Sequence, residues 1–241
     1  TRDAIDTEVM WNGRRVILID TAGIRRSGKI QGTVEYYSVL RAQRAIERCD
    51  VAAIVIDSIE GLLDGDKRAA GMANEAGKAS VLIVNKWDEG RAKVVEANPG
   101  KNPIPAFTKH LRDEMPFVSY APAAYCSALK QTGISAFLDT ALDAADNHAL
   151  RVPTGELNRI IRDAVDYRPH GEHGRTFKVR YVTMAAVKPP TIVIFCNDPA
   201  LLHFSYKRYL ENQIRKQYSF EGTPIKLIAR KAEREKGDKD D

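Results

Sequence analysis

Arg15 to Ile30 reads R-V-I-L-I-D-T-A-G-I-R-R-S-G-K-I. Val16 to Ile19 form an unbroken apolar run, the pattern of a strand buried on both faces of a sheet. The run stops at Asp20, and Gly23 follows three residues later. D-x-x-G at the carboxyl end of a strand suits phosphate chemistry. The carboxylate can hold a Mg²⁺-bound water, and a residue without a Cβ lets a backbone N–H approach a terminal phosphate. By itself the pattern is more often that of an ordinary β-turn.

Two further segments change its weight. Ser80 to Val84 is a second buried-type strand and ends in Asn85, Lys86, Trp87 and Asp88. Guanine offers two adjacent donors, its ring N1–H and its exocyclic amino group, and one carboxylate can accept both. The Asn amide can reach N7 while the Lys stem lies along the base. Adenine lacks the donor pair, and a site built on such hydrogen bonds discriminates by roughly 10⁴ or more. The third segment, Cys126-Ser127-Ala128-Leu129-Lys130, follows a strand expected over Val118 to Tyr125. There a small S-A-x loop lets backbone N–H groups meet the guanine carbonyl oxygen. In this order, each at a strand end, the three segments point to guanine-nucleotide binding.

The elements that must hold them are legible in outline. Asn12-Gly13 is a hairpin-turn pair between strands at 8–11 and 14–20. Residues 24–32 read as a mobile loop, 33–48 as a helix, 51–57 as a buried strand and 66–76 as a short helix ending at Gly77. Alternation of this kind indicates a parallel α/β sheet with its ligand site at the strands' carboxyl ends, where Asp20, Asn85 and Ser127 fall. Residues 89–116 hold four prolines with Gly90 and Gly100, and read as an irregular excursion with one short helix near 107–114. A long helix over 134–150 closes a first domain, residues 1–150.

Arg151-Val152-Pro153 marks the boundary to a second domain, 151–231, of α+β pattern. Thr154 is a plausible N-cap for a helix to about 166, with Leu157, Ile160, Ile161 and Val165 on one face. Strands are expected at 177–184 and 191–196. Ser205 is expected to cap a helix to about 218, and a last strand runs over 224–229. The tail, 232–241, is charged and reads as disordered.

The 241 residues are 44% hydrophobic and 29% charged, and carry a net charge of +5. That is the balance of a soluble globular chain with room for two modest domains. No apolar run approaches a membrane span. The start, T-R-D-A-I-D, lacks both a signal peptide and an initiator Met, so the chain reads as a fragment. Cys49, Cys126 and Cys196 are far apart and read as cytosolic thiols. His170 and His173 are close, but in a Gly-rich loop with no further ligand cluster in sequence. Residues 1–150 carry 19 Lys/Arg against 20 Asp/Glu, and residues 151–241 carry 18 against 12. Basic excess gathered in one module is a hint of nucleic-acid contact, and equally of a solvated basic face.

T-R-D-A-I-D-T, D-T-A-G-I-R-R-S-G-K-I, N-K-W-D, S-Y-A-P, S-Y-K-R-Y-L-E-N-Q-I-R-K and F-E-G-T-P-I-K-L together resemble the Der (EngA) family of bacterial GTPases. These carry two tandem GTPase domains and a C-terminal KH-like domain. The resemblance runs from Thr1 to about Lys231. It implies an α/β, P-loop GTPase-type, mostly parallel sheet truncated at its N-terminus, followed by a small α+β KH-like domain. It also implies GTP/GDP and Mg²⁺ as ligands, with a role in assembly of the large ribosomal subunit. The partners would be that subunit and its rRNA; a cytoplasmic monomer with no DNA role is expected.

Position by position, Thr1 and Asp20 would serve Mg²⁺, and the Gly23 N–H the γ-phosphate. Thr21 and Ala22 complete that segment. Asn85, Lys86 and Asp88 would read guanine, helped by Ser127 and Ala128. Ile24 stands where many GTPases place a water-orienting glutamine, so no catalytic side chain is assigned and slow intrinsic hydrolysis is implied. Lys207, Arg208, Arg215 and Lys216 are the candidate RNA contacts.

There are departures. The sequence contains no G-x-x-x-x-G-K-[ST]. Gly171-Glu-His-Gly174 has the letters of a KH clamp loop, but it follows a helix and precedes a strand, and reads as a coincidental turn. An alternative function is therefore an RNA- or ribosome-binding module with an inactive GTPase remnant. A flavodoxin-like or receiver domain would leave N-K-W-D unexplained.

Overall fold

The structure, a computed structural model, describes residues 6–19, 32–172 and 174–232, with side chains in the first helix from residue 40 onward. Contacts divide the chain into two units. One holds residues 1–146 with Glu221–Pro224, and the other holds Asn147–Phe220 with the remainder. Thr1, Asp20, Thr21, Ala22, Gly23 and Ile24 lie outside the described residues, as do most of the expected mobile loop, His173 and most of the charged tail.

The first unit opens with a hairpin. Strand β1 (Asp6–Trp11) pairs antiparallel with β2 (Arg14–Ile19) across Asn12 and Gly13. Both turn residues have positive φ, 49° and 72°, which is why an Asn-Gly pair stands there. Helix α1 (Gly32–Arg48) leads into β3 (Val51–Asp57), then α2 (Asp64–Glu75) and β4 (Ala79–Asn85). After β4 come α3 (Trp87–Ala97), α4 (Pro103–Glu114), the short β5 (Ala123–Tyr125) and α5 (Ile134–Ala149). Strands β3, β4 and β5 form a parallel sheet in that order. In the central strand β4 six of the seven residues are buried, as its S-V-L-I-V run demands. The α/β expectation holds.

Three expectations for this unit are corrected. The run Val16 to Ile19 is not buried on both faces. Ile17 is 47% and Leu18 39% exposed, because β2 pairs only with β1 among the described residues. Periodicity reports what a strand can bury, not whether a neighbour is present. Residues 89–116 are not irregular with one helix but hold two, α3 and α4. Pro103 stands in the first turn of α4, where a missing N–H costs nothing, and the Asn102 side chain accepts from the Ile104 N–H as cap. Gly90 inside α3 is a packing requirement, since a Cβ there would collide with Ser58. The strand expected over 118–125 shrinks to Ala123–Tyr125, because a 3₁₀ turn occupies Pro116–Val118.

The second unit runs α6 (Thr154–Tyr167), a two-residue hairpin β6 (Gly171–Glu172) and β7 (Arg175–Thr176), then β8 (Val179–Ala186), β9 (Thr191–Cys196), α7 (Phe204–Gln217) and β10 (Lys226–Lys231). The sheet order is β10-β9-β8, with β10 parallel and β8 antiparallel to β9. Leu157, Ile160 and Ile161 of α6, Ile192, Ile194 and Cys196 of β9, and Tyr206, Leu210 and Ile214 of α7 form the core. The G-x-x-G letters fall in the β6–β7 hairpin, as the turn reading expects. The cap assignments do not hold. Pro153 and His203 take the cap positions of α6 and α7, without side-chain cap bonds, and Thr154 and Ser205 fall inside the helices. The single polar residue looked like a cap, but the dihedral break comes earlier.

Candidate guanine-binding site

The site grows from the carboxyl ends of β3, β4 and β5. Parallel register sets Asp57 beside Asn85. Next in the chain, Lys86 takes a left-handed conformation, φ 57°, and α3 starts at once. That sharp turn puts Asp88 in the helix's first turn, where the dipole favours a carboxylate. The Trp87 N–H donates to the Cys126 carbonyl at 3.0 Å and ties the turn to the loop after β5. Beneath it the Trp87 ring meets Tyr125 edge-on at 4.5 Å.

Asn85 is the staple. Its Oδ1 accepts from the Lys86 N–H at 2.8 Å and from the Ala128 N–H at 3.0 Å. Two backbone donors on one atom assign the amide and leave Nδ2 as an outward donor. The loop itself is closed by Ser127 and Thr132, which exchange backbone hydrogen bonds of 2.9 and 3.1 Å. Gly133, at φ +74°, has no room for a Cβ against the Tyr125 carbonyl.

Two ion pairs flank this staple. Lys86 Nζ lies 2.7 Å from Asp57 Oδ2, and Lys130 Nζ lies 3.2 Å from Asp88 Oδ2. The Asp88 side chain is only 13% exposed while Lys130 is 61% exposed. A hydrogen bond from Ser127 first, then Lys130, holds the Asp88 carboxyl below the usual carboxylate range against the opposing effect of burial. Burial pushes Asp57 up, but Lys86 and the Ile59 and Glu60 N–H groups outweigh it and carry the carboxyl down. Both acids are therefore anions at neutral pH. A carboxylate has about four acceptor positions; Ser127, Lys130 and the residue's own N–H use three of them on Asp88, and at least one stays open to a further donor.

These residues fit a guanine base: a fixed carboxylate, an amide donor and a constrained loop. The Ser127 and Ala128 N–H groups, expected to meet a base carbonyl, are engaged by Thr132 and Asn85 as placed, so their visible role is to order the loop. Sequence reading missed Asp57, Lys130 and Thr132 as parts of the site. Asp57 had a usable signal, its place at the end of the strand beside β4; Thr132 had none. Thr1, Asp20 and Gly23, expected to serve the phosphates and Mg²⁺, lie outside the described residues.

Residues 151–230 match the model of the KH-domain-like C-terminal domain of EngA bacterial GTPase enzymes, and residues 1–86 match that of a 50S ribosome-binding GTPase. Over 231 residues, 95% of the chain, it is 48% identical to GTPase Der of Geobacillus thermodenitrificans and 49% identical to that of Geobacillus kaustophilus. Along nearly its whole length the chain is thus similar to Der GTPases, and its second unit to the KH-like domain of EngA enzymes. It spans about half the length of these curated Der relatives, 51% of each. A crystal structure of Era with MgGDPNP and a segment of 16S ribosomal RNA shares 18% identity at a TM-score of 0.49, covering 95% of this chain and 80% of that one.

The four basic candidates of the Der-like second unit differ in setting. Arg208 and Lys216 are exposed and Lys207 is half-buried. Arg215 is occupied: its guanidinium meets Glu211 at 2.9 Å and donates to the Phe220 carbonyl at 2.9 Å. It closes the end of α7, and its side chain is only 18% exposed.

Proposed function

We propose that the chain is the guanine-reading portion, with its KH-like domain, of a Mg²⁺-dependent GTP hydrolase acting in assembly of the large ribosomal subunit. In this reading Asp88 accepts the two guanine donors, Asn85 Nδ2 donates to N7, and Lys86 lies along the base. Thr1 and Asp20 hold the Mg²⁺, Thr21, Ala22 and Gly23 face the phosphates, and the basic face of α7 contacts rRNA. The protein works as a cytoplasmic, ribosome-associated monomer divided near residue 150. The observation that carries the reading is the Asn85 staple, which joins the N-K-W-D turn to the S-A-L-K loop beside a fixed Asp88 anion. The likeness to a 50S ribosome-binding GTPase supports the ribosomal part.

The test uses a chain that also carries a phosphate-binding loop. Xanthine replaces guanine's amino group with a carbonyl, so Asp88 repels it and an amide accepts it. Asp88→Asn is expected to weaken GTP binding by up to about 10⁴-fold and to favour XTP. An unchanged preference for GTP removes Asp88 from the base site. GTP turnover by the parent in the same assay separates this reading from an RNA-binding module with an inert remnant.

A further inference from the structure

The tertiary structure brings together three ligand-type side chains that are distant in sequence. His170 and Glu172 lie at the β6 edge of the small hairpin, and His203 takes the cap position of α7. Each offers one ligand atom, and these atoms all lie within 4.8 Å of one another. We propose that His170, Glu172 and His203 form a binding site for a borderline divalent transition-metal ion, with Zn²⁺ the best match.

Spacing is the first support. Tetrahedral bonds of the usual Zn–N and Zn–O lengths set ligand atoms about 3.3 Å apart. Glu172 Oε2 and His203 Nε2 already stand at 3.0 Å. The His170 ligand atom lies within 4.8 Å of both. The second support is an unmet need. His170 Nε2 is buried and has no hydrogen-bond partner. A buried ring nitrogen without a partner is uncommon and asks for an occupant. An exposed Glu172–His203 ion pair, the bland reading, leaves that nitrogen unexplained and is itself worth little.

The third support is positioning. The His170 ring stacks on Tyr206 at 4.6 Å and 19°, and meets His203 edge-on at 5.8 Å. Tyr206 is itself buried and donates its hydroxyl to the Arg168 carbonyl at 2.8 Å. One imidazole is thus held by the core while the other two ligands stay accessible. Charge is consistent too: the N-terminus of α7 disfavours a cation, and the Glu172 carboxylate offsets it.

The donor set selects the class of ion. Two imidazoles and one carboxylate suit Zn²⁺, and Cu²⁺ or Ni²⁺ as competitors, whereas Mg²⁺ and Ca²⁺ prefer oxygen ligands. Three protein ligands leave a fourth position for water. Bound there, the ion ties the β6–β7 hairpin to the start of α7.

The test is titration of the full chain with Zn²⁺ against a chelating indicator, with Mg²⁺ present in excess. One saturable site is expected. Glu172→Gln and His203→Gln should each weaken it by more than about tenfold, since losing a ligand costs at least what losing its outer-shell support does. Both side chains are almost half exposed, 47% and 45%, so the variants keep the fold, as thermal scans without metal would verify. Zn²⁺ should raise the melting temperature of the parent and not of the variants. Substitution with Co²⁺ distinguishes this site from the three free cysteines, because thiolate ligation adds an intense near-ultraviolet charge-transfer band. No saturable binding, affinity unchanged in both variants, or a thiolate band would each overturn the proposal.

Discussion

Asn85 uses the two ends of one amide for different purposes. Its oxygen holds the Lys86 and Ala128 N–H groups, and its nitrogen is left for a ligand. Asn85→Ala is expected to cost about 1 kcal/mol per lost bond, at the low end because both are exposed. The shift of the urea midpoint measures it, and an unchanged midpoint would mean that the staple adds nothing to stability. Tyr206 gives a pH prediction. Burial first, then the neighbouring Tyr209, pushes its hydroxyl from the ordinary value of 10.0 up to about 12. A raised pKa gives stability that is complete below the unfolded value and lost as pH rises through the folded one. The second unit is therefore expected to weaken between about pH 10 and 12. Tyr206→Phe should flatten that alkaline loss in a pH series of thermal melts. Asp57 and Asp88 have the opposite sign: their contribution is complete above the ordinary value of 3.8 and is lost only as pH falls below it.

At the scale of elements, close approach decides more than periodicity. The Glu221–Pro224 segment lies along β4, where the Ser80 N–H donates to the Gly222 carbonyl at 2.7 Å and the Gly222 N–H to the Tyr120 carbonyl at 2.8 Å. Gly222 has φ +77°, and a Cβ there would collide with Ala144; Gly100 has φ +74° with open space around it. Gly100→Ala should cost only the left-handed penalty, about 1–2 kcal/mol. Gly222→Ala adds a displaced backbone and should cost about 1–3 kcal/mol more. Denaturant midpoints of the two variants test the difference, and equal losses would mean that the Ala144 side chain yields freely. The sequence shows both glycines and no distinction between them, because the neighbour that matters is dozens of residues away.

Across the whole molecule, β4 and β9 are the strands flanked on both sides among the described residues, while β2 pairs only with β1 and β3 pairs only with β4. Val55 of β3 is 56% exposed, as are Ile17 and Leu18 of β2 in large part. Edges of this kind exchange their amides quickly. Hydrogen exchange should therefore be fast along β2 and the outer edge of β3 and slow in β4, β9 and α7. Strong protection throughout residues 1–146 would show that the open edges matter little. With no G-x-x-x-x-G-K-[ST] in the sequence, this chain should bind GTP–Mg²⁺ negligibly by isothermal titration. Base contacts do not replace a loop of N–H groups and its lysine. The basic excess belongs to the other half. If the proposed rRNA contact is made by α7, replacing Lys207, Arg208 and Lys216, while sparing the structural Arg215, should flatten the salt dependence of rRNA binding. The logarithmic slope should fall by about one for each phosphate that is no longer neutralised. An identical slope would assign those charges to a solvated face.

By itself the sequence determined the alternation of strands and helices, the hairpin at Asn12-Gly13 and the place of N-K-W-D and S-A-L-K at strand ends. Each rests on local rules: apolar period, positive-φ residues and breakers. The tertiary structure alone decided that Ile17 and Leu18 of β2 stay exposed among the described residues, that prolines at 103 and 105 open a helix, and that Pro153 and His203 take the cap positions. It alone set Lys130 on Asp88, Lys86 on Asp57 and His203 beside His170 and Glu172. Those pairs join residues 29 to 42 positions apart, or 33 for the two histidines. Local pattern carries no information at that range, because it is fixed by how parallel strands and a crossing helix are stacked.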